Sequence, residues 1–90
     1  MNNENTIELY IGMPVHIIWD GKPNTNWVGY IRRLDFKQKL AEVGPETIVG
    51  SHLRVYDFER LVPTKFTDDI HRNLLAEIER LKNDPTNIIK

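Results

Sequence analysis

Along the first sixty residues apolar and polar positions mostly alternate with a period of two, and from residue 67 the spacing changes to three and four. The first regime predicts half-buried strands and the second a helix with one apolar face. Ile7, Leu9 and Ile11 alternate with Glu8 and Tyr10, which predicts a short entry strand interrupted by Gly12-Met13-Pro14. Val15-His16-Ile17-Ile18-Trp19 follows as a well-buried strand, with Val15, Ile17 and Trp19 on one face. Asp20-Gly21 and the polar run through Asn26 predict an exposed hairpin loop longer than the two-residue kind. Residues 27–34 form the next strand, putting Trp27, Gly29, Ile31 and Arg33 on one side and Val28, Tyr30, Arg32 and Leu34 on the other. Gly29 is the expected pivot, because a glycine within a strand gives up packing and marks a bend or a close backbone approach.

Asp35-Phe36-Lys37-Gln38 turns the chain and residues 39–43 return it. Gly44-Pro45 predicts a second turn, Thr47-Ile48-Val49 a short strand, and Leu53-Arg54-Val55-Tyr56 a further one. Asp57-Phe58-Glu59-Arg60 is too polar and short for a core strand and predicts one tight helical turn, leading into Leu61-Val62 as a closing strand before Pro63. Five or six short strands with turns about every 8–12 residues predict a small barrel or sandwich over residues 7–63. Residues 1–6 are Asn-rich and predict a flexible end.

Thr67 as N-cap, Asp68 and Asp69 in the first turn, and Pro85 beyond the end predict a helix over residues 68–83, within a C-terminal unit at 67–84. Ile70, Leu74, Ile78 and Leu81 make its apolar stripe with Leu75 beside it, and Asp68–Arg72, Glu77–Arg80 and Glu79–Lys82 are its expected charge pairs. The stripe is expected to pack across an open end or face of the barrel; the alternative is a homodimer formed through this helix. Residues 85–90 are left as a tail.

The order of elements from Gly12 to Val62, ending in Tyr56-Asp57-Phe58-Glu59-Arg60-Leu61-Val62, resembles SH3-like barrels of the Tudor and KOW kind, which carry one helical turn between their last two strands. Gly29, Ile31 and Asp35, together with Ile48-Val49-Gly50-Ser51-His52-Leu53, are similar to the two motifs of the Sm-like fold. The 29–35 strand also resembles that of the bacterial YolD-like family. These likenesses imply an SH3-like or Sm-like small barrel; joined to the strand and helix signals above, the expected fold is mainly β, a five- to six-stranded small barrel followed by one C-terminal amphipathic α-helix. Lys39 stands where Sm-like RNA binders carry an asparagine, and Val49 and Ser51 fill places that hold basic and asparagine side chains there.

Ninety residues suffice for one domain, and at this size a chain buries roughly 60–70% of its unfolded surface. With no cysteine there is no disulfide framework or thiolate metal site. Neither a signal peptide nor an apolar run of ~20 residues is present, which predicts a soluble cytoplasmic protein with no membrane partner. The formal net charge of −1 argues against bulk electrostatic capture of polyanions. Residues 21–40 nevertheless carry Lys22, Arg32, Arg33, Lys37 and Lys39 against Asp35 alone, a local excess of +4. Alternation places Arg32 and Arg33 on opposite faces, so at most one joins the loop lysines.

His16, His52 and His71 are isolated, which predicts no metal site. Asp68-Asp69 is helix-start chemistry. Ser51, the one serine, lacks a nucleophile elbow, and no glycine-rich phosphate loop occurs. No cofactor and no catalysis are expected. Trp19, Trp27, Tyr30, Phe36 and Tyr56 can converge on a cage or stacking platform, although core roles are expected for Trp19 and Trp27. Trp27 is the better candidate for exposure because it follows a polar loop. The expected function is a non-enzymatic adaptor or regulator that binds a protein through the 20–27 loop and the adjoining strand, with Trp27, Tyr30, Lys22, Arg32, Lys37 and Lys39 as its contact residues. The alternatives are a nucleic-acid binder using the basic segment 22–39 and a structural subunit of an assembly.

Overall fold

The computed structural model describes residues 8–26, 28–45 and 54–90. It is mainly β, a curled half-barrel sheet with one C-terminal helix, as the alternation predicts. Among the described residues the strands are β1 (Pro14–Trp19), β2 (Lys22–Pro23), β3 (Gly29–Asp35), β4 (Leu40–Pro45), β5 (Arg54–Asp57), β6 (Leu61–Pro63) and β7 (Ile88–Ile89). Helix α1 spans Asp68–Lys82. The sheet runs β2-β1-β3-β4-β5, with β6 on β1 and β7 on β3. All pairings are antiparallel except that of β7 with β3.

Alternation builds the interior. Met13, Val15 and Ile17 from the β1 region, Ile31 and Leu34 from β3, Ala41 and Val43 from β4, and Leu61 from β6 close on one another with Ile11. A fully buried Val, Leu or Ile side chain is worth about 1.5–3 kcal/mol, so this cluster holds the curled sheet together.

A second, smaller cluster of Tyr30, Leu74 and Ile78 joins α1 to the outer face of β3, and Leu81 packs against both clusters. Leu74 and Ile78 of the stripe are thus buried within the chain, and Leu75 beside it is exposed. Thr67 caps the helix as expected, its hydroxyl accepting from the Ile70 N–H at 3.4 Å. The observed charge pairs are Asp69–Arg72 and Glu77–Arg80; those expected for Asp68–Arg72 and Glu79–Lys82 are not formed.

Close approach of the helix depends on Gly12. Its φ is +89°, and a Cβ there would overlap Ile78 Cγ2. Its N–H donates to the Ile31 carbonyl at 2.7 Å, while Ile31 N–H donates to the Met13 carbonyl at 3.0 Å. The expected entry strand is therefore absent over residues 8–11; the chain instead turns at 11–12 and joins β3 by these two bonds.

Three further expectations change. Asp20 (φ 56°) and Gly21 (φ 80°) close a two-residue hairpin in which Trp19 faces Lys22, a tight turn in place of the long loop. Gly44 and Pro45 continue β4 opposite Tyr30 and Gly29, so the expected turn does not occur there. In β3 the register breaks between Ile31 and Arg33, making Arg32 a bulged residue and shifting the irregularity away from Gly29. The extra residue lets Ile31 and Leu34, three positions apart, both reach the interior. The expected 47–49 strand lies outside the described residues.

The C-terminal tail is structured. Asp84 caps a short helical turn, Pro85–Asn87, and Ile88 and Ile89 then pair with Leu34 and Asp35. Hydroxyl and backbone N–H donation from Thr86 hold the Asp84 carboxyl below the usual range, and Arg33 acts in the same direction. A lowered carboxyl favours the folded turn above the ordinary Asp value of about 3.9, and that contribution disappears as pH falls through the lowered value. The Thr86 amide proton in an NMR titration is expected to move with a midpoint below that ordinary value; a midpoint at or above it would remove this contact.

Candidate functional site

The short turn Phe58–Arg60 between β5 and β6, expected from its sequence, organises the exposed aromatic surface. It brings the end of β1 beside the end of β5, since Ile17 pairs with Leu61 and Leu40 with Asp57. Arg60 then reaches across to β1. Its Nε and Nη2 both donate to the Ile18 carbonyl, at 3.1 and 2.9 Å. The guanidinium carbon lies 5.7 Å from the centre of the Trp19 ring and 5.2 Å from that of Tyr56.

Trp19 is 65% exposed, which corrects the core role expected for it. Its position is inward by parity, but it ends β1 at the Asp20-Gly21 turn. The Arg60 guanidinium lies over one side of the ring. Tyr56 is half-buried, with its foot against the main core. Farther along the same turn, Phe58 meets Phe36 edge-on at 5.5 Å, and the Phe58 N–H donates to the Lys39 carbonyl at 3.0 Å. The result is a rim in which two rings, Trp19 and Tyr56, flank one fixed guanidinium. An arginine held in this way presents its remaining N–H groups to carboxylates or carbonyls, and the rings present apolar faces.

The expected contact residues divide. Lys22 is exposed on β2 opposite Trp19. Lys37 and Lys39 are exposed in the β3–β4 turn, where Asp35 Oδ1 accepts from the Lys37 and Gln38 N–H groups at 3.0 Å each and Lys39 has φ 59°. Tyr30 is only 2% exposed, inside the helix contact, and so is not a surface contact residue. Arg32 leaves the basic patch as well. Its Nη1 donates to the Tyr30 hydroxyl at 2.6 Å and its Nη2 lies 3.6 Å from Glu77, tying β3 to α1. Both residues lie on the helix side of β3, the shared face that alternation gives them, and α1 covers that face. Trp27 lies outside the described residues.

The four described aromatics of that set therefore do not form one cage: Trp19 and Tyr56 share Arg60, Phe36 is on Phe58, and Tyr30 belongs to the helix contact. Arg60 and Phe58 are the members that sequence reading missed. Their signal was the position of the helical turn itself, which had to lie beside the end of a strand paired with β6. Among the described residues, no three His, Cys, Asp or Glu side chains gather as a metal site, and no helix is long and apolar enough to cross a membrane. The chain matches no protein-family model, no curated protein and no solved structure.

Proposed function

We propose that this chain is a non-catalytic small-barrel module that binds another protein, and that the rim formed by Trp19, Tyr56 and Arg60, with Lys22 beside it, is its contact surface. The carrying observation is a tryptophan that is 65% exposed yet stacked against an arginine fixed by two hydrogen bonds. Exposed aromatic and arginine side chains dominate protein interfaces, and anchors ordered before contact lose less entropy on binding. The hairpin at the start of the expected 20–27 loop remains in this surface; the adjoining face of β3 does not. An SH3-like ancestry is supported by the placement of β1 between β6 and the β3–β4–β5 meander, and by the helical turn joining β5 to β6.

Trp19→Ala tests the reading because the side chain is peripheral to both cores. Its melting temperature is expected to stay close to that of the parent, while capture of the partner from nuclease-treated lysate falls by about 2 kcal/mol, roughly thirtyfold in affinity. Undiminished capture by Trp19→Ala and Arg60→Ala would exclude this surface. Capture abolished by nuclease in the parent protein would favour the nucleic-acid alternative, for which Lys22, Lys37 and Lys39 remain exposed.

A further inference from the structure

Apart from the Trp19 rim, the turn at 10–14, the linker at 64–66 and one face of α1 line an open groove of about 450 Å3. Small-molecule sites occupy about 300–1,000 Å3, with an apolar lining and a few convergent polar groups. Here the floor is Ile11, Pro14 and Ile78, and Phe66 and Tyr10 contribute rings. His71, Ile78 and Lys82 are seven and four residues apart and so share one helix face. Lys65 and Lys82 bring two ammonium groups, and His71, whose ring lies 5.9 Å from that of Phe66, adds an imidazole.

The charge pattern is one-sided. No carboxylate lines the groove among the described residues, although the chain as a whole carries 13 acidic and 12 basic side chains. Asp68, on the same helix, borders His71 from a separate depression. Neither Lys65 nor Lys82 takes part in an ion pair among the described residues, whereas Arg32, Arg72 and Arg80 all do. An apolar floor with unpaired cations at its edge complements a ligand of mixed character and opposite charge.

We propose that this groove is a binding site for an amphiphilic organic anion, a molecule with a ring-sized apolar body and a carboxylate, sulfonate or phosphate group. The body lies over Ile11, Pro14 and Ile78 against the Phe66 ring, and the acid group meets Lys65 and Lys82. The site is separate from the Trp19 rim, so its ligand and the partner of that rim are read independently.

Anilinonaphthalene sulfonate and phenylnaphthylamine, the same ring system without the acid, form a matched pair of probes for the full-length chain. The sulfonate is expected to bind in a single saturable event, to shift the amide signals of Gly12, Lys65, Phe66 and His71, and to weaken as salt is raised. The uncharged probe should bind at least about fivefold more weakly, and Lys65→Gln/Lys82→Gln should lose about five- to tenfold in sulfonate affinity, as two exposed ion pairs would give. Equal binding of the two probes to the parent protein would overturn the proposal in favour of a merely apolar groove. Shifts centred on the Trp19 rim, or undiminished affinity in the double variant, would also overturn it. Because the comparison of probes and salt uses the parent protein, the test stands even where the double variant folds poorly.

Discussion

Replacing Gly12 with alanine is expected to destabilise the fold by about 2–5 kcal/mol. Two costs combine: an L side chain in the left-handed region loses roughly 1–2 kcal/mol, and filling an already packed contact loses about 1–3 kcal/mol. The added methyl meets Ile78 Cγ2, which belongs to a β-branched side chain with little rotameric freedom on a helix. The midpoint of chemical denaturation should fall with its slope unchanged. Combining the change with Ile78→Ala separates the two costs: the double variant should lose less than the single variants sum to, because the clash is gone while the strain remains. Strict additivity would place the whole effect in the backbone and contradict the contact.

That result would also measure how much of the architecture sequence alone conveys. The helix was legible because its signals are local: Thr67, the two aspartates and the 70–74–78–81 spacing all sit on one segment. The helical turn at Phe58–Arg60 was legible for the same reason. What covers the stripe was not, because Gly12 supplies the gap through the absence of an atom, and its sequence signal is indistinguishable from that of a loop glycine. Strand faces were legible up to the bulge. Beyond Arg32 the alternation assigned Leu34 to the face opposite Ile31, whereas the structure buries both in one interior. The β7 strand did have a signal, since an aspartate followed by proline and then two isoleucines carries the same capping chemistry that located α1. The candidate surface was hardest to read, because its arginine and its tryptophan come from segments joined only by sheet pairing.

Leu34→Ala should have an effect of similar size through a different cause. Leu34 is fully buried at 0% exposure in the main core, on β3 where β4 and β7 flank it. Truncation removes its transfer energy and leaves a cavity that the surrounding strands cannot collapse into, about 2–5 kcal/mol in total. In a domain of this size each 1 kcal/mol is worth about 4–8 °C, so the melting temperature should fall by roughly 8–40 °C. Leu75→Ala, at an exposed position of α1, should change it by only a few degrees. A small effect at Leu34 would mean that the residue is not inside and would remove the bulge as the reason for its burial.

The bond from Arg60 to the Ile18 carbonyl spans 42 positions of sequence, whereas β3 and β4 meet across the short 36–39 turn. Bringing distant segments together costs chain entropy before any contact repays it, so the meander has the advantage in time and the junction of β1 with β6 comes later. Trp19 gains its cationic neighbour only at that junction. Its fluorescence therefore acts as a clock hand for the closing event, changing after backbone signals from the meander have settled.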